Sequence, residues 1–411
     1  MPGLQRALII ASLLAITAGT ASSADSLPEA YRAALREGDL STAEMIASGR
    51  LSADPKDDDA RFGLAAVQFL AAVRDRARSL YRHGLSTQFG GLISTLPLPQ
   101  NPRPEPLDAA GLRKLLLAWL DDLDRCEATL ASIQSETVRL ELPLGALRLD
   151  LDGDGEAGPS ERLWAIYRRF NRAASDGAET ESIQVVFDRG DVDWLRGYCR
   201  LLSAPAEMLL AHDFSMLYDR CGGLLFGGAV PRSPLSGSGP IARSQFGAEQ
   251  IADLVAAVHL VRLPMIAPER MKAARQDLLA VIASSRTSWN RILAETDDDL
   301  EWLPNPRQKA AATSSRITQE MVDAWMKFLD EAEAILEGKK LVPHWRIDQP
   351  RRGIDLAQVF EAPREFDLVL WVQGTSALPY VREGDTTDPQ VWSRLERVFR
   401  GELLGFAFWI N

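Results

Sequence analysis

Apolar residues recur at three- and four-residue intervals over most of the chain. Leu112, Leu115, Leu116, Trp119, Leu120 and Leu123 fall on one helical face, so a core helix is predicted to run to about residue 133. The same spacing predicts a long helical stretch from near Asp191 through Cys221, helices over 248–262 and 268–296, and a short helix in the segment VWSRLERVF. A further helix over 318–336 opens at Thr318, with Glu320 and Asp323 in its first turns, where exposed backbone N–H groups favour acceptors and negative charge. Shorter apolar runs, IQVVF at 183–187 and DLVLWV at 367–372, read as strands. The expected class is mainly α: a multi-helical body with a few short strands.

Proline and glycine divide this pattern. PLPQNPRPEP, residues 97–106, carries five prolines and sustains neither helix nor central strand, so it reads as a linker. It separates an N-terminal helical segment, 25–96, from a helical region over 107–240 that ends in a Gly-, Ser- and Pro-rich loop at 222–240. A C-terminal helical region with short strands, 241–411, completes the organisation. Its last residues, LLGFAFWIN, are apolar enough to be expected in the core or an interface.

Within the N-terminal segment, residues 38–70 resemble a tetratricopeptide repeat. Gly38, Leu40 and Ala43 stand in a first helix, Asp54-Pro55 at the turn, and Ala60, Phe62, Gly63, Leu64 and Ala65 in a second. The resemblance implies an antiparallel helix pair. Arrays of such repeats bind peptides but need about three copies to bury their faces, and the sequence holds no second clear copy. The expectation is therefore a single hairpin packed on the main body.

Residues 1–24 have one basic residue, Arg6, then ALIIASLLAITA, then small residues ending at Ala24, the layout of a secretory signal peptide. The mature protein is expected in the periplasm or outside the cell. No later run approaches the roughly 20 apolar residues of a membrane-spanning helix, so no span is expected in the mature chain. Hydrophobic residues make up 46% and charged residues 25%, proportions of an ordinary folded core. The net charge of −11 and the absence of a Lys/Arg block argue against nucleic acid as a partner. In an oxidising compartment three cysteines leave one unpaired unless chains cross-link. Cys126 and Cys199 read as buried thiols, and a bond from Cys221 to either is the alternative.

One stretch carries specific chemistry. DLDGDGEAGPSE, residues 150–161, places Asp150, Asp152 and Asp154 at alternate positions one, three and five, Gly155 at six and Glu161 at twelve. These residues resemble the EF-hand calcium loop, and the resemblance covers these twelve residues alone. It implies Ca²⁺ held by carboxylate oxygens of Asp150, Asp152 and Asp154, the backbone carbonyl of Glu156 and both side-chain oxygens of Glu161, with water opposite Gly158. The entering segment, 141–149, contains Pro143 and Gly145 and alternates Leu147 and Leu149 about Arg148, so it is expected to be extended. After the loop, Pro159 suits a first helical turn, and Leu163, Ile166, Tyr167 and Phe170 repeat at helical spacing. Position eight is only Ala157 and no second loop of this form exists, so a single unpaired site of structural calcium is expected. Its affinity falls in the weak extracellular range of about 10⁻⁴–10⁻³ M.

Catalytic patterns are sparse. His83, His212, His259 and His344 are scattered outside any two-histidine helical zinc motif, and the chain has no GxSxG, Walker loop or dinucleotide fingerprint. Asp188, Asp191 and Asp193 beside Trp194 could serve as glycosidase-like carboxylates, but capping of a helix N-terminus accounts for them as well. The runs 57–59 and 297–299 read as solvated acidic faces. Two functional classes follow: an exported calcium-binding protein that offers a surface to a protein partner, and, as the alternative, an envelope-polymer hydrolase with structural calcium.

Overall fold

A computed structural model describes residues 27–86, 98–170, 180–231, 248–311 and 317–399. The expected signal peptide and the apolar C-terminal end lie outside them. The protein is mainly helical. Helices α1 (Glu29–Glu37), α2 (Leu40–Ala53), α3 (Asp58–Arg82) and α4 (Ala109–Ala131) precede strand β1 (Leu140–Leu142), and α5 (Leu163–Phe170) leads to strand β2 (Val185–Phe187). Then come α6 (Arg189–Leu210), α7 (Ser215–Leu225), α8 (Ala248–Leu260), β3 (Arg262–Leu263), α9 (Pro268–Ala294) and α10 (Gln319–Leu336). The described chain closes with β4 (Arg352–Ile354), α11 (Leu356–Glu361), β5 (Phe366–Asp367), α12 (Leu368–Gln373), β6 (Val381–Glu383) and α13 (Pro389–Val398). The strands form three two-stranded antiparallel ribbons, β1–β2, β3–β5 and β4–β6.

Short polar side chains set many of the helix starts. Asp39, Asp57, Asp108, Asp188 and Thr318 each accept a backbone N–H from the first turn of α2, α3, α4, α6 and α10, satisfying donors that the helix itself leaves open. The acidic run 57–59 is not a solvated face. Asp57 caps α3, Asp58 accepts the backbone N–H groups of Gln134 and Ser135 at 2.8 and 2.6 Å, and Asp59 accepts that of Arg139 at 2.9 Å. The run stitches the start of α3 to the segment that enters β1.

Two sequence-based assignments change. Residues 368–373 are helix, not strand: the Asp367 carboxylate accepts the Leu370 N–H at 2.9 Å and starts α12, leaving only Phe366 and Asp367 to pair with β3. The stretch from Asp191 through Cys221 is two helices. Asp213 leaves the helical path by donating its N–H to the Pro264 carbonyl at 2.8 Å and accepting from the Ser215 N–H at 2.9 Å, and α7 then continues through Gly222 to Leu225.

A large apolar core unites α1–α4, β1, β2 and part of α6, with Tyr31, Leu35, Leu123, Leu130, Leu147 and Leu149 fully buried. It spans the proline-rich stretch, because α3 and α4 pack on each other from either side of it. A second cluster joins α9, α10, α11 and α13 around Trp289 and Trp325, whose indole N–H donates to Ser285 Oγ at 3.0 Å. Helix α6 lies along α9 and ties the two cores together; Gly197 permits this, since a Cβ there would sit 3.0 Å from Ser284 Cβ. Across the same layer Arg200 of α6 pairs with Asp124 at 2.7 Å and Glu127 at 2.8 Å on α4 and with Asp277 at 3.4 Å on α9. Burial pushes the Asp277 carboxyl up to about 6 despite that arginine.

All three cysteines are free: Cys126 and Cys199 are buried, Cys221 is half-buried, and Cys221 bonds to neither. A hydrogen bond with Cys126, reinforced by burial, holds the Cys199 thiol well above its ordinary range. Both are inert core thiols in this state. No described helix is long and apolar enough to cross a membrane.

Candidate metal centre

The twelve-residue loop is closed at its base by short antiparallel pairing. Leu149 N–H donates to the Glu161 carbonyl at 3.1 Å and Leu163 N–H to the Leu147 carbonyl at 2.9 Å, while Arg148 and Arg162 face each other. The entering segment, expected to be extended throughout, is extended only at its ends. Between β1 and Leu147 it makes a turn in which the Ala146 and Leu147 N–H groups donate to the Pro143 carbonyl at 3.0 and 2.8 Å, a bend suited to Pro143 and Gly145. The exit is a 3₁₀ turn at Pro159–Glu161 that passes into α5.

Inside, successive aspartates turn the backbone. Asp150 Oδ1 accepts the Gly153 N–H at 2.7 Å and Asp150 Oδ2 the Gly155 N–H at 3.1 Å; Asp152 Oδ1 accepts from Asp154 at 3.1 Å and Asp154 Oδ1 from Glu156 at 2.8 Å. Gly153 and Gly155 take φ of +78° and +93°, the left-handed region that a residue without Cβ reaches at no steric cost. The turns bring one carboxylate oxygen from each of Asp150, Asp152 and Asp154 within 4.8 Å of one another. Two oxygens ligating one Ca²⁺ at about 2.3–2.6 Å lie no more than about 5 Å apart, so this separation matches a shared divalent ion. Asp150 is buried, Asp152 half-buried and Asp154 exposed, a gradient from the core to the loop mouth.

The Glu161 side chain is placed differently. The buried Glu161 carboxylate does not join that group of oxygens. Its Oε1 accepts the Leu151 and Asp152 N–H groups at 2.6 and 3.4 Å, and its Oε2 the Gly158 N–H at 2.7 Å, so it closes the loop from below. Glu156 is exposed, and its N–H is spent on Asp154. A cation that the sequence did not point to also reaches the loop. Arg78 of α3 donates Nε to the Asp150 carbonyl at 2.8 Å and Nη2 to Asp150 Oδ2 at 2.5 Å, and its stem covers Gly153.

Three elements hold the loop. Arg78 attaches it to α3. Arg148 N–H donates to the Leu35 carbonyl of α1 at 3.2 Å, and a Cβ on Gly38, at the end of α1, would stand 3.1 Å from Ala157 Cβ. On the exit side Trp164 and Tyr167 of α5 pack with Trp302, the Tyr167 and Trp302 ring centres lying 5.3 Å apart.

The remaining acids divide by partner. Asp193 is held by Arg189, Arg196 and Arg291, the last at 2.9 Å. Asp188 caps α6, and Asp191 returns the bond by accepting the Asp188 N–H at 3.0 Å. Asp188 and Asp191 do act as helix caps, but sequence spacing gave no sign that Glu295 and Glu301 fold onto them. His212 Nδ1 faces the Met208 carbonyl at 2.8 Å while Asp213 turns to Ser215, so they form no acid/base pair. The run 297–299 is exposed at Asp297 and Asp298, as expected of a solvated face, but it also carries specific bonds. Asp298 accepts the Lys309 N–H at 2.8 Å, Asp299 pairs with Arg139, and Glu301 Oε1, which lies near Asp297 and Asp299, takes the Gln308 amide at 3.1 Å. One oxygen from each of Asp297, Asp299 and Glu301 lies within 4.8 Å of the others, a second acidic group of the size that could hold a cation. Compared with known proteins the chain finds no match: no family model, no curated protein and no solved structure.

Proposed function

We propose that the protein is an exported calcium-binding module whose ion is structural and whose calcium-fixed surface serves another protein of the cell envelope. The observation that carries this reading is the convergence of the Asp150, Asp152 and Asp154 oxygens within 4.8 Å, on a loop whose twelve-residue pattern resembles an EF-hand. Their hard, anionic oxygens suit Ca²⁺ over soft or nitrogen-preferring metals. The ion's task is mechanical. The loop joins α1, α3 and α5, so neutralising its clustered carboxylates steadies the joint among them. Glu161 supplies the loop's internal closure and, after a small rearrangement, its second pair of ligand oxygens.

The test is thermal unfolding of residues 25–411 with and without Ca²⁺. At 10 mM Ca²⁺ and an affinity of about 10⁻⁴–10⁻³ M, linkage stabilises the folded state by about 1.4–2.7 kcal/mol, a rise of a few degrees in Tm. Asp152→Ala combined with Glu161→Ala removes that rise. A Tm that ignores Ca²⁺ in the wild-type protein refutes the reading.

A further inference from the structure

Four carboxyl groups meet where β2 and the start of α6 receive the end of α9 and the segment 295–311. Asp188 and Asp191 come from α6, Glu295 follows the last turn of α9, and Glu301 lies in the segment that pairs with β2, where the Val186 N–H donates to the Leu300 carbonyl at 3.1 Å. Asp191 and Glu301 are only 3% and 4% exposed. None of the four forms an ion pair among the described residues. The neutral Gln308 amide reaches Glu295 Oε2 at 3.2 Å, Glu301 Oε1 at 3.1 Å and the Asp297 carbonyl at 3.0 Å. Asp191 Oδ1 and Glu295 Oε1 are buried without a donor.

The nearby cations are spent elsewhere. Arg139 pairs with Asp299, Arg307 donates to the backbone carbonyls of Leu293 and Glu295, and Arg189 and Arg291 pair with Asp193, Arg291 also with Glu136. Two buried and two half-buried negative charges with no counter-charge are costly, so either protons or a cation must neutralise them. The geometry selects protons. Asp188 Oδ1 and Glu295 Oε1 lie side by side, since a Cβ on Gly190 would stand 3.2 Å from the one and 3.3 Å from the other, and Asp191 Oδ1 and Glu295 Oε1 are oxygens with no donor, for which a proton removes the buried charge. Of the four, Glu301 alone belongs to an oxygen cluster like that of Asp150, Asp152 and Asp154, and it shares that cluster with Asp297 and Asp299, not with Asp188, Asp191 or Glu295.

We propose that Asp191, Glu295 and Glu301, gathered beside Asp188, form a proton-operated latch that holds segment 295–311 against β2 and α6 while these three are protonated and releases it as they ionise. Burial first, and neighbouring carboxylates after it, push Glu295 up to about 8 and Glu301 up to about 7, and hold Asp191 well above the carboxylate range. Because the folded state keeps these protons more tightly than the unfolded chain, the latch is fully closed below the ordinary carboxylate range. It loses its hold as pH climbs from there through about 8. Trp302, carried by this segment, packs on Phe187, Trp194 and Tyr167, so release would also loosen the packing of α5.

Hydrogen exchange of peptides from 296–311, corrected for intrinsic rates and measured in chelator at pH 5.5 and 8.5, tests the latch independently of calcium. The expected result is at least tenfold less protection at pH 8.5 in the wild-type protein. Glu295→Gln, which carries no charge at either pH, should cut that ratio to about threefold or less. Equal protection at both pH values in the wild-type protein overturns the proposal whether or not the variant folds, and so does an unchanged pH response in a folded Glu295→Gln protein. Protection restored at pH 8.5 by Mg²⁺ or Ca²⁺ in the Asp152→Ala/Glu161→Ala background also overturns it, by showing that the carboxylates hold a cation.

Discussion

Arg78 is the residue on which the acidic loop 150–161 turns. Its guanidinium neutralises Asp150 and bonds the adjoining carbonyl, so part of what an ion would supply is already present. That charge also repels an arriving Ca²⁺. Arg78→Met should therefore raise Ca²⁺ affinity by about tenfold, from the loss of one like charge a few ångströms away in a partly screened site. It should also lower calcium-free stability by about 1.5–3 kcal/mol, the usual worth of a charged hydrogen bond, and paired titration and unfolding curves read both effects. The convergence of Asp150, Asp152 and Asp154 was legible in the sequence, since alternate acids with glycine at the sixth place form a local turn whose geometry depends on few distant residues. Arg78 was not, because it arrives from 72 residues upstream on a helix whose spacing reveals only its apolar face. The contacts of Glu295 and Glu301 with Asp188 and Asp191 were hidden for the same reason: long-range convergence leaves no periodic trace.

At the scale of elements, the junction between α1 and the loop makes a sharper demand than the loop does on itself. Gly155 has a left-handed φ of +93° but nothing within 4 Å of a Cβ, so Gly155→Ala should cost only the conformational term, about 1–2 kcal/mol. Gly38 combines a φ of +78° with Ala157 Cβ 3.1 Å from its own added Cβ. Gly38→Ala should cost more than Gly155→Ala, and adding Ala157→Gly should recover the steric part alone; denaturant unfolding of the four proteins in the cycle measures this. The helices themselves were predictable where an apolar stripe met an N-cap, as at Thr318 and in α4. Residues 368–372 were misread because a five-residue apolar run carries no period, and the deciding feature, the Asp367 cap, is a single side chain. The break at Asp213 likewise depends on Pro264, which no local pattern announces.

Over the whole molecule, the two cores are joined through α6 and α9, and the acidic loop 150–161 and the carboxyl latch reach each other through α5 and Trp302. Trp302→Ala should weaken this connection, lowering Tm by several degrees through the loss of about 3–5 kcal/mol of aromatic packing and reducing the calcium-dependent part of the Tm shift, as scanning calorimetry with and without Ca²⁺ would show. The mainly helical class followed from apolar spacing and composition, while the packing of α3 on α4 across the prolines depended on shapes that composition does not encode. The most direct measurement is isothermal titration of Ca²⁺ into the purified protein beside its Asp152→Ala/Glu161→Ala variant. One binding event with a Kd on the order of 10⁻⁴–10⁻³ M, lost in the variant while its circular dichroism is unchanged, is the predicted result. No binding heat in the wild-type protein at any temperature tried, or equal binding by the variant, would contradict it.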